Sequence, residues 1–192
     1  MPKLIVKKIT SWVLSVAFLV FVAGFSLLNQ PSALAQTQTT STPAPITTEL
    51  APKTESVTAN VRRLLETNEC IRCNLVGADL EAANLQAANL EGANLENADL
   101  EKANLQETNL QGANLQGADL GKANIARANL QGANLFEADL EKANLQATNL
   151  QAANLQKADL QKTNLTDANI EGANVLGADF EDAIVPQGLT VR

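Results

Sequence analysis

The chain has 192 residues, 45% of them hydrophobic but only 3% aromatic, with no His and no Tyr. That composition excludes a core built on a few large side chains and any chemistry that depends on an imidazole, so apolar burial must come from many small, near-identical contacts. The formal net charge of −7 sets the chain against nucleic acid as a partner, because an acidic surface repels phosphates.

Lys3, Lys7 and Lys8 precede an uncharged apolar run from Trp12 to Leu28, and Ala33-Leu34-Ala35 then places small residues where a signal peptidase needs them. The pattern predicts an export signal over 1–35 with cleavage after Ala35, which would take the net charge from −7 to −10 by removing three Lys. An uncleaved membrane anchor is the alternative, since the run reaches the lower limit of a span, about 17 residues. Either way the remainder lies outside the cytoplasm, and this segment is the only membrane contact the sequence offers. No Cys follows Ala35 to accept a lipid. Residues 36–56, rich in Thr, Gln, Ser and Pro without apolar periodicity, read as a disordered linker.

From Val57 the pattern changes. Val57, Val61, Leu64 and Leu65 form one stripe of a short amphipathic helix, 57–69, with Ser56 as its candidate N-cap. A helix this short is marginal alone, so its stripe is expected to dock on the open end of the repeat region as an N-terminal cap.

Cys73 to Val185 reads as 23 uninterrupted five-residue units with an apolar central residue, from Leu75, Leu80 and Leu85 to Val175, Phe180 and Val185. Two positions earlier sits Ala, Thr or, once, Cys. A period of five fits neither the 3.6 of a helix nor the 2.0 of a strand, so the chain must turn after each unit. Small and large apolar residues two apart share one face of an extended segment and both point inward if the chain coils. The residue before the centre is Asp at Asp79, Asp99, Asp119, Asp139, Asp159 and Asp179, an interval of 20, and Lys102, Lys122, Lys142 and Lys162 keep the same interval. Four units therefore make a coil. The expected fold is an all-β solenoid over 70–187, four-sided, of nearly six coils and about 27 Å tall if coils stack about 4.8 Å apart. A tail, 188–192, is too short for a second cap helix.

These units, Ala-(Asp/Asn)-Leu-x-x, closely resemble the pentapeptide-repeat family over about three fifths of the chain. The resemblance implies a right-handed quadrilateral β-helix. Leu64-Leu65-Glu66-Thr67 followed by Cys70 and Cys73-Asn74-Leu75 is similar to the helix-to-coil junction of cyanobacterial members, several of which are exported to the thylakoid lumen or periplasm. For most of that family no biochemical activity is established.

Three features bear on function. Cys70 and Cys73 should both point inward beneath the helix; with no His and no second Cys pair they complete no metal site, and in an exported chain they form a candidate disulfide, the alternatives being two reduced core thiols or a redox pair. The Asp column shares its side with Glu81, Glu101, Glu141, Glu181 and Asp182 against four Lys, so most of the negative charge gathers on one face. It reads as turn chemistry without a task, as a docking surface for a cationic protein, or as a row of divalent-cation ligands. Val76, Phe136 and Leu176 point outward from the side before it, Phe136 being notable in so aromatic-poor a chain. The last coil edge needs a cover, either Leu189 and Val191 or a second copy in an end-to-end homodimer. No cofactor is expected and no enzyme: the coils hold no Ser and no irregular loop to shape a pocket. The leading function is a non-catalytic structural or protein-interaction module in the thylakoid lumen or periplasm. The alternatives are a DNA-mimicking protector of a nucleic-acid enzyme of the gyrase type, and divalent-cation binding along the Asp column.

Overall fold

The computed structural model describes residues 56–186. The chain divides into two units, Met1–Thr48 and Glu49–Arg192, and all described residues belong to the second. The export signal with its cleavage after Ala35, nearly all of the linker, and the tail with Leu189 and Val191 lie outside the described residues.

Helix α1 spans Val57–Thr67. Ser56 starts it by accepting the Ala59 N–H on its Oγ at 3.2 Å, and Asn68 stops it in the left-handed region, its N–H returning to Leu64 O at 2.8 Å. The buried face differs from the expected stripe. Leu64 is fully buried, but Leu65 is 52% exposed and Asn60 takes a buried place instead. Adjacent helical residues are rotated by about 100°, so a helix resting on one flat coil cannot bury both leucines. Asn60 tolerates burial because its Nδ2 donates to Asn74 O at 2.9 Å. Among the described residues no helix is long and apolar enough to cross a membrane.

From Glu69 to Ile184 the chain is a stack of isolated parallel bridges, each joining a residue to the one 20 further on, as in Asp79 with Asp99 and Asn84 with Asn104. The unit centred on Leu95 shows why five residues suffice. Ala93 N–H donates back to Leu90 O and closes the corner. Asn94 N–H donates to Cys73 O of the coil below, while Leu95 and Asn97 N–H donate to Asn114 O and Gln116 O of the coil above. The remaining N–H, on Glu96, is taken by Asn94 Oδ1 at 3.2 Å. All five donors are satisfied, which is what a buried or half-buried backbone demands. Asx therefore precedes every centre from Leu75 to Phe180, Ile184 before Val185 being the exception, because only a short side chain with an oxygen reaches the N–H two residues on.

Each corner has a closing bond from residue four to residue one and a positive φ at its third residue, the signature of a type II turn. The third residue is left-handed whether it is Gly112 (φ 63), Ala87 (φ 56) or Lys122 (φ 59). Inside, the central Leu and the small residues form one continuous core from Leu64 to Ala168. Where Thr replaces Ala, its hydroxyl is buried but used: Thr108 Oγ1 donates to Leu85 O at 2.8 Å and Thr148 Oγ1 to Ile125 O at 3.0 Å. In the last coil Ile170, Val175, Phe180 and Val185 pack on this core only partly buried.

Candidate functional site

The Asp column lies on one side of the solenoid, Asp79, Asp99, Asp119, Asp139, Asp159 and Asp179 bridged in sequence. Each uses Oδ1 where Asn would. Glu101 N–H reaches Asp99 at 3.0 Å, Glu141 N–H reaches Asp139 at 2.8 Å and Gln161 N–H reaches Asp159 at 2.9 Å. The difference is on the outside. Asn also carries an Nδ2 donor, and on the neighbouring sides it bonds the Asn of the coil below, as Asn114 does to Asn94 at 2.9 Å. Asp has no such donor, so its column cannot form a ladder. Five of the six are exposed and Asp159 is half-buried. Carboxylates about 4.8 Å apart repel by roughly 0.9 kcal/mol per neighbour in water.

The lysines of this side do not relieve that column; they are bound to its glutamates. Lys102 Nζ lies 2.8 Å from Glu81 of the coil below and 3.4 Å from Glu101. Lys122 reaches down to Glu101 at 2.7 Å and Lys162 to Glu141 at 3.8 Å. Lys142 would find Gly121 below it, so it turns to Glu141 of its own coil at 2.9 Å. Gly121 is buried, and a Cβ there would sit 3.1 Å from Asp119 Oδ1 and 3.7 Å from Glu101 Cγ. The Lys122 ammonium holds the Glu101 carboxyl below its ordinary value, and Lys142 does the same to Glu141. Reciprocally, Glu81 raises Lys102 and Glu101 raises Lys122. Glu81, Glu101 and Glu141, expected as part of one acidic face, are thus ion-paired, and the carboxylates of this side left without an ion pair among the described residues are the Asp column together with Glu181 and Asp182 of the last coil.

Cys70 and Cys73 lie beneath α1, 1% and 5% exposed, with sulfurs at disulfide distance and Cα atoms 5.3 Å apart. A residue that spacing did not point to joins them: Arg63 Nη2 stands 2.6 Å from Cys73 Sγ and 3.4 Å from Asn60 Oδ1. Phe136 is half-buried, with Lys157 Nζ 5.0 Å from its ring centroid and Lys157 paired to Glu137 at 2.8 Å. Val76 and Leu176 are exposed, by 38% and 69%. Among the described residues no three of His, Cys, Asp and Glu are grouped as a metal ion would require. Stacking explains this, since column neighbours point outward in parallel rather than converging.

The profile of the family described as pentapeptide repeats matches residues 73–112, 103–141, 113–151 and 148–184, in eight copies. The chain belongs to the pentapeptide-repeat family. Among solved structures it is similar to the pentapeptide-repeat protein Rfr23 from the cyanobacterium Cyanothece 51142, at 29% identity over 68% of this chain and 99% of that one, with a TM-score of 0.47. It is also similar to AT2G44920, a pentapeptide-repeat protein from the thylakoid lumen of Arabidopsis thaliana, at 35% identity over 44% of this chain and 59% of that one, TM-score 0.44. HetL, a pentapeptide-repeat protein of Nostoc sp. strain PCC 7120 involved in regulating heterocyst differentiation, shares 37% identity over 63% of each chain, TM-score 0.27. No curated protein sequence matches the chain.

Proposed function

We propose that this pentapeptide-repeat protein is a non-catalytic interaction module of an exported compartment, thylakoid lumen or periplasm, that docks a cationic protein partner on its Asp side. Residues 1–35 direct export, 36–56 tether the rod, 57–69 cap it and 70–187 form a right-handed, four-sided β-helix of nearly six coils. Cys70 and Cys73, as a disulfide, pin the cap to the first coil. At the opposite end, where Phe180 and Val185 are only partly covered, a second copy stacks end to end.

One observation carries the docking reading: every Lys of the Asp side has a Glu within ion-pair distance, which leaves the Asp column, continued by Glu181 and Asp182 in the last coil, without an ion pair. The flat geometry supports a partner of complementary charge, which would gain steering and register from such a row. Absence of His from the whole chain and of Ser from the coils supports a module without catalysis.

The test is a pull-down from the exported fraction with the mature chain from Gln36, parent against a variant with Asp99, Asp119, Asp139 and Asp159 changed to Asn. Asn accepts the same backbone N–H and can add a ladder bond, so the variant should melt no lower than the parent. A partner retained by the parent and lost by the variant supports the docking face. Equal capture, or none by either, refutes it.

A further inference from the structure

Cys70 and Cys73 stand only three residues apart, and a bridge closing so short a loop removes little freedom from the unfolded chain. Their surroundings provide for the reduced form as well as for the bridge. Cys70 Sγ lies 3.6 Å from Asn60 O, an acceptor that a disulfide sulfur cannot use and a thiol S–H can. Arg63 Nη2 stands 2.6 Å from Cys73 Sγ and 3.8 Å from Cys70 Sγ. A guanidinium gains little from a neutral disulfide sulfur and much from a thiolate. Each sulfur thus already faces the partner that its reduced form needs, and the partners differ: an acceptor for Cys70, a cation for Cys73.

Arg63 is the charge that α1 brings to the sulfurs. Arg62 and Glu66 of the same helix, Glu69 and Arg72 beside the cysteines and Glu91 on the coil above make no contact with either sulfur among the described residues, and the core around the pair is Leu and Ala. Burial among such side chains opposes a thiolate, while an adjacent cation favours it. Arg63 is exposed and touches Cys73, the less deeply buried of the two, so an ion pair there sits at the edge of the core rather than inside it. A cavity of about 250 Å³ lined by Arg63, Glu69 and Ile71 opens beside this junction. Its walls are the two neighbours of Cys70 and the guanidinium next to Cys73, which gives a small thiol a way in once the last turn of α1 gives way.

We propose that Cys70 and Cys73 form a reversible thiol–disulfide couple that exchanges with a dithiol reductant, and that Arg63 holds Cys73 as a thiolate in the reduced form. The reductant's first sulfur bonds Cys70 Sγ as the Cys70–Cys73 bond breaks, and the electron pair leaves on Cys73 Sγ beside Arg63, the leaving group that the cation favours. Its second sulfur then displaces Cys70, which takes up a proton and donates its S–H to Asn60 O. The dithiol ends as a disulfide and gives up two protons, one to Cys70 and one to solvent. The chain therefore gains two electrons and one proton, and the pin beneath α1 opens without removing the partners that hold the helix. This couple rests on the disulfide of the proposed function and makes that disulfide reversible.

The experiment equilibrates the folded mature chain with mixtures of reduced and oxidised dithiothreitol at several values between about pH 6 and 8, counting thiols by alkylation. Uptake of one proton with two electrons makes the midpoint potential fall by about 30 mV per pH unit, tenfold in the equilibrium constant, whereas two ordinary thiols take two protons and fall by about 59 mV. The parent should show the shallow slope. Arg63→Gln should show the steep one and disfavour reduction about tenfold at neutral pH, while Arg63→Lys should keep the parent slope. The parent slope decides by itself, so a Gln variant that melts lower leaves the test intact. A parent slope of about 59 mV, a slope unchanged in Arg63→Gln, or a bridge that dithiothreitol opens only after denaturation would overturn the couple. The titration reaches the same midpoint from either redox form. A chain isolated with two thiols would therefore remove the pin of the proposed function, and the couple would still stand or fall on its slope.

Discussion

At the corners, residue type and backbone conformation disagree. Ala87, Glu137 and Lys122 hold φ values of 56, 56 and 59, where Gly is the residue of least strain. They stay there because the N–H at each such position is bonded to the coil above: Ala87 to Gln106 O, Lys122 to Glu141 O. Gly112 isolates the cost, since a Cβ placed on it meets nothing within 4 Å. Gly112→Ala should therefore lose about 1 kcal/mol from backbone strain alone, and Ala87→Gly should gain a few tenths, both read from denaturant midpoints at unchanged slope. A larger loss at Gly112 would mean that the corner is packed more tightly than its open surroundings show. Nothing in the sequence announces this conformation, because Ala, Lys, Glu and Gly occupy it alike. The Asx before the centres from Leu75 to Phe180 is legible as a turn residue, and its bond to the N–H two residues on is the physical content of that reading.

Among the elements, α1 and the first coil meet at the point where chain chemistry is densest. Leu64 is buried against the core, Asn60 bonds Asn74, and Arg63 lies beside Cys73. A bridge between residues three apart closes a very small loop, so in the loop-entropy account it contributes only about 2 kcal/mol. Alkylation of the denatured mature chain should label neither Cys before reduction and both after it, with a stability loss near that figure on adding reductant. Labelling of both without reductant would show two thiols under the helix and remove the pin. Most of this junction can be read from the sequence: the stripe, the cap Ser56 and the inward Cys70 and Cys73 follow from spacing. Leu65 departs from that reading because hydrophobicity alone cannot tell which of two adjacent leucines a flat coil accepts. Asn60 escapes it because its burial depends on a carbonyl 14 residues away.

For the whole molecule, the interval of 20 between aspartates fixes which residues stack, and the bridges from Asp79 to Asp179 follow it. Charge organisation needs one more layer, since a lysine can bind the glutamate of its own coil or of the one below. Gly121 decides this for Lys142, and no count of charges would reveal it. The resulting pairs make stability depend on pH with a definite sign. Glu101 and Glu141 are held below the ordinary 4.5, so what they contribute is fully present above 4.5 and is lost as pH falls through their lower folded values. Lys102 and Lys122 are raised above 10.5, so their contribution is full below 10.5 and is lost as pH climbs past it. The Asp side should thus have a plateau between those limits. Comparing thermal melts of the parent with a Glu101→Gln, Glu141→Gln variant isolates these pairs from every other carboxylate. The gap between the two should be open at neutral pH, shrink with added salt because the pairs are exposed, and close on acidification below 4.5. A gap that persists in acid would assign the effect to packing of the two side chains over Gly121 and its neighbours rather than to their charge.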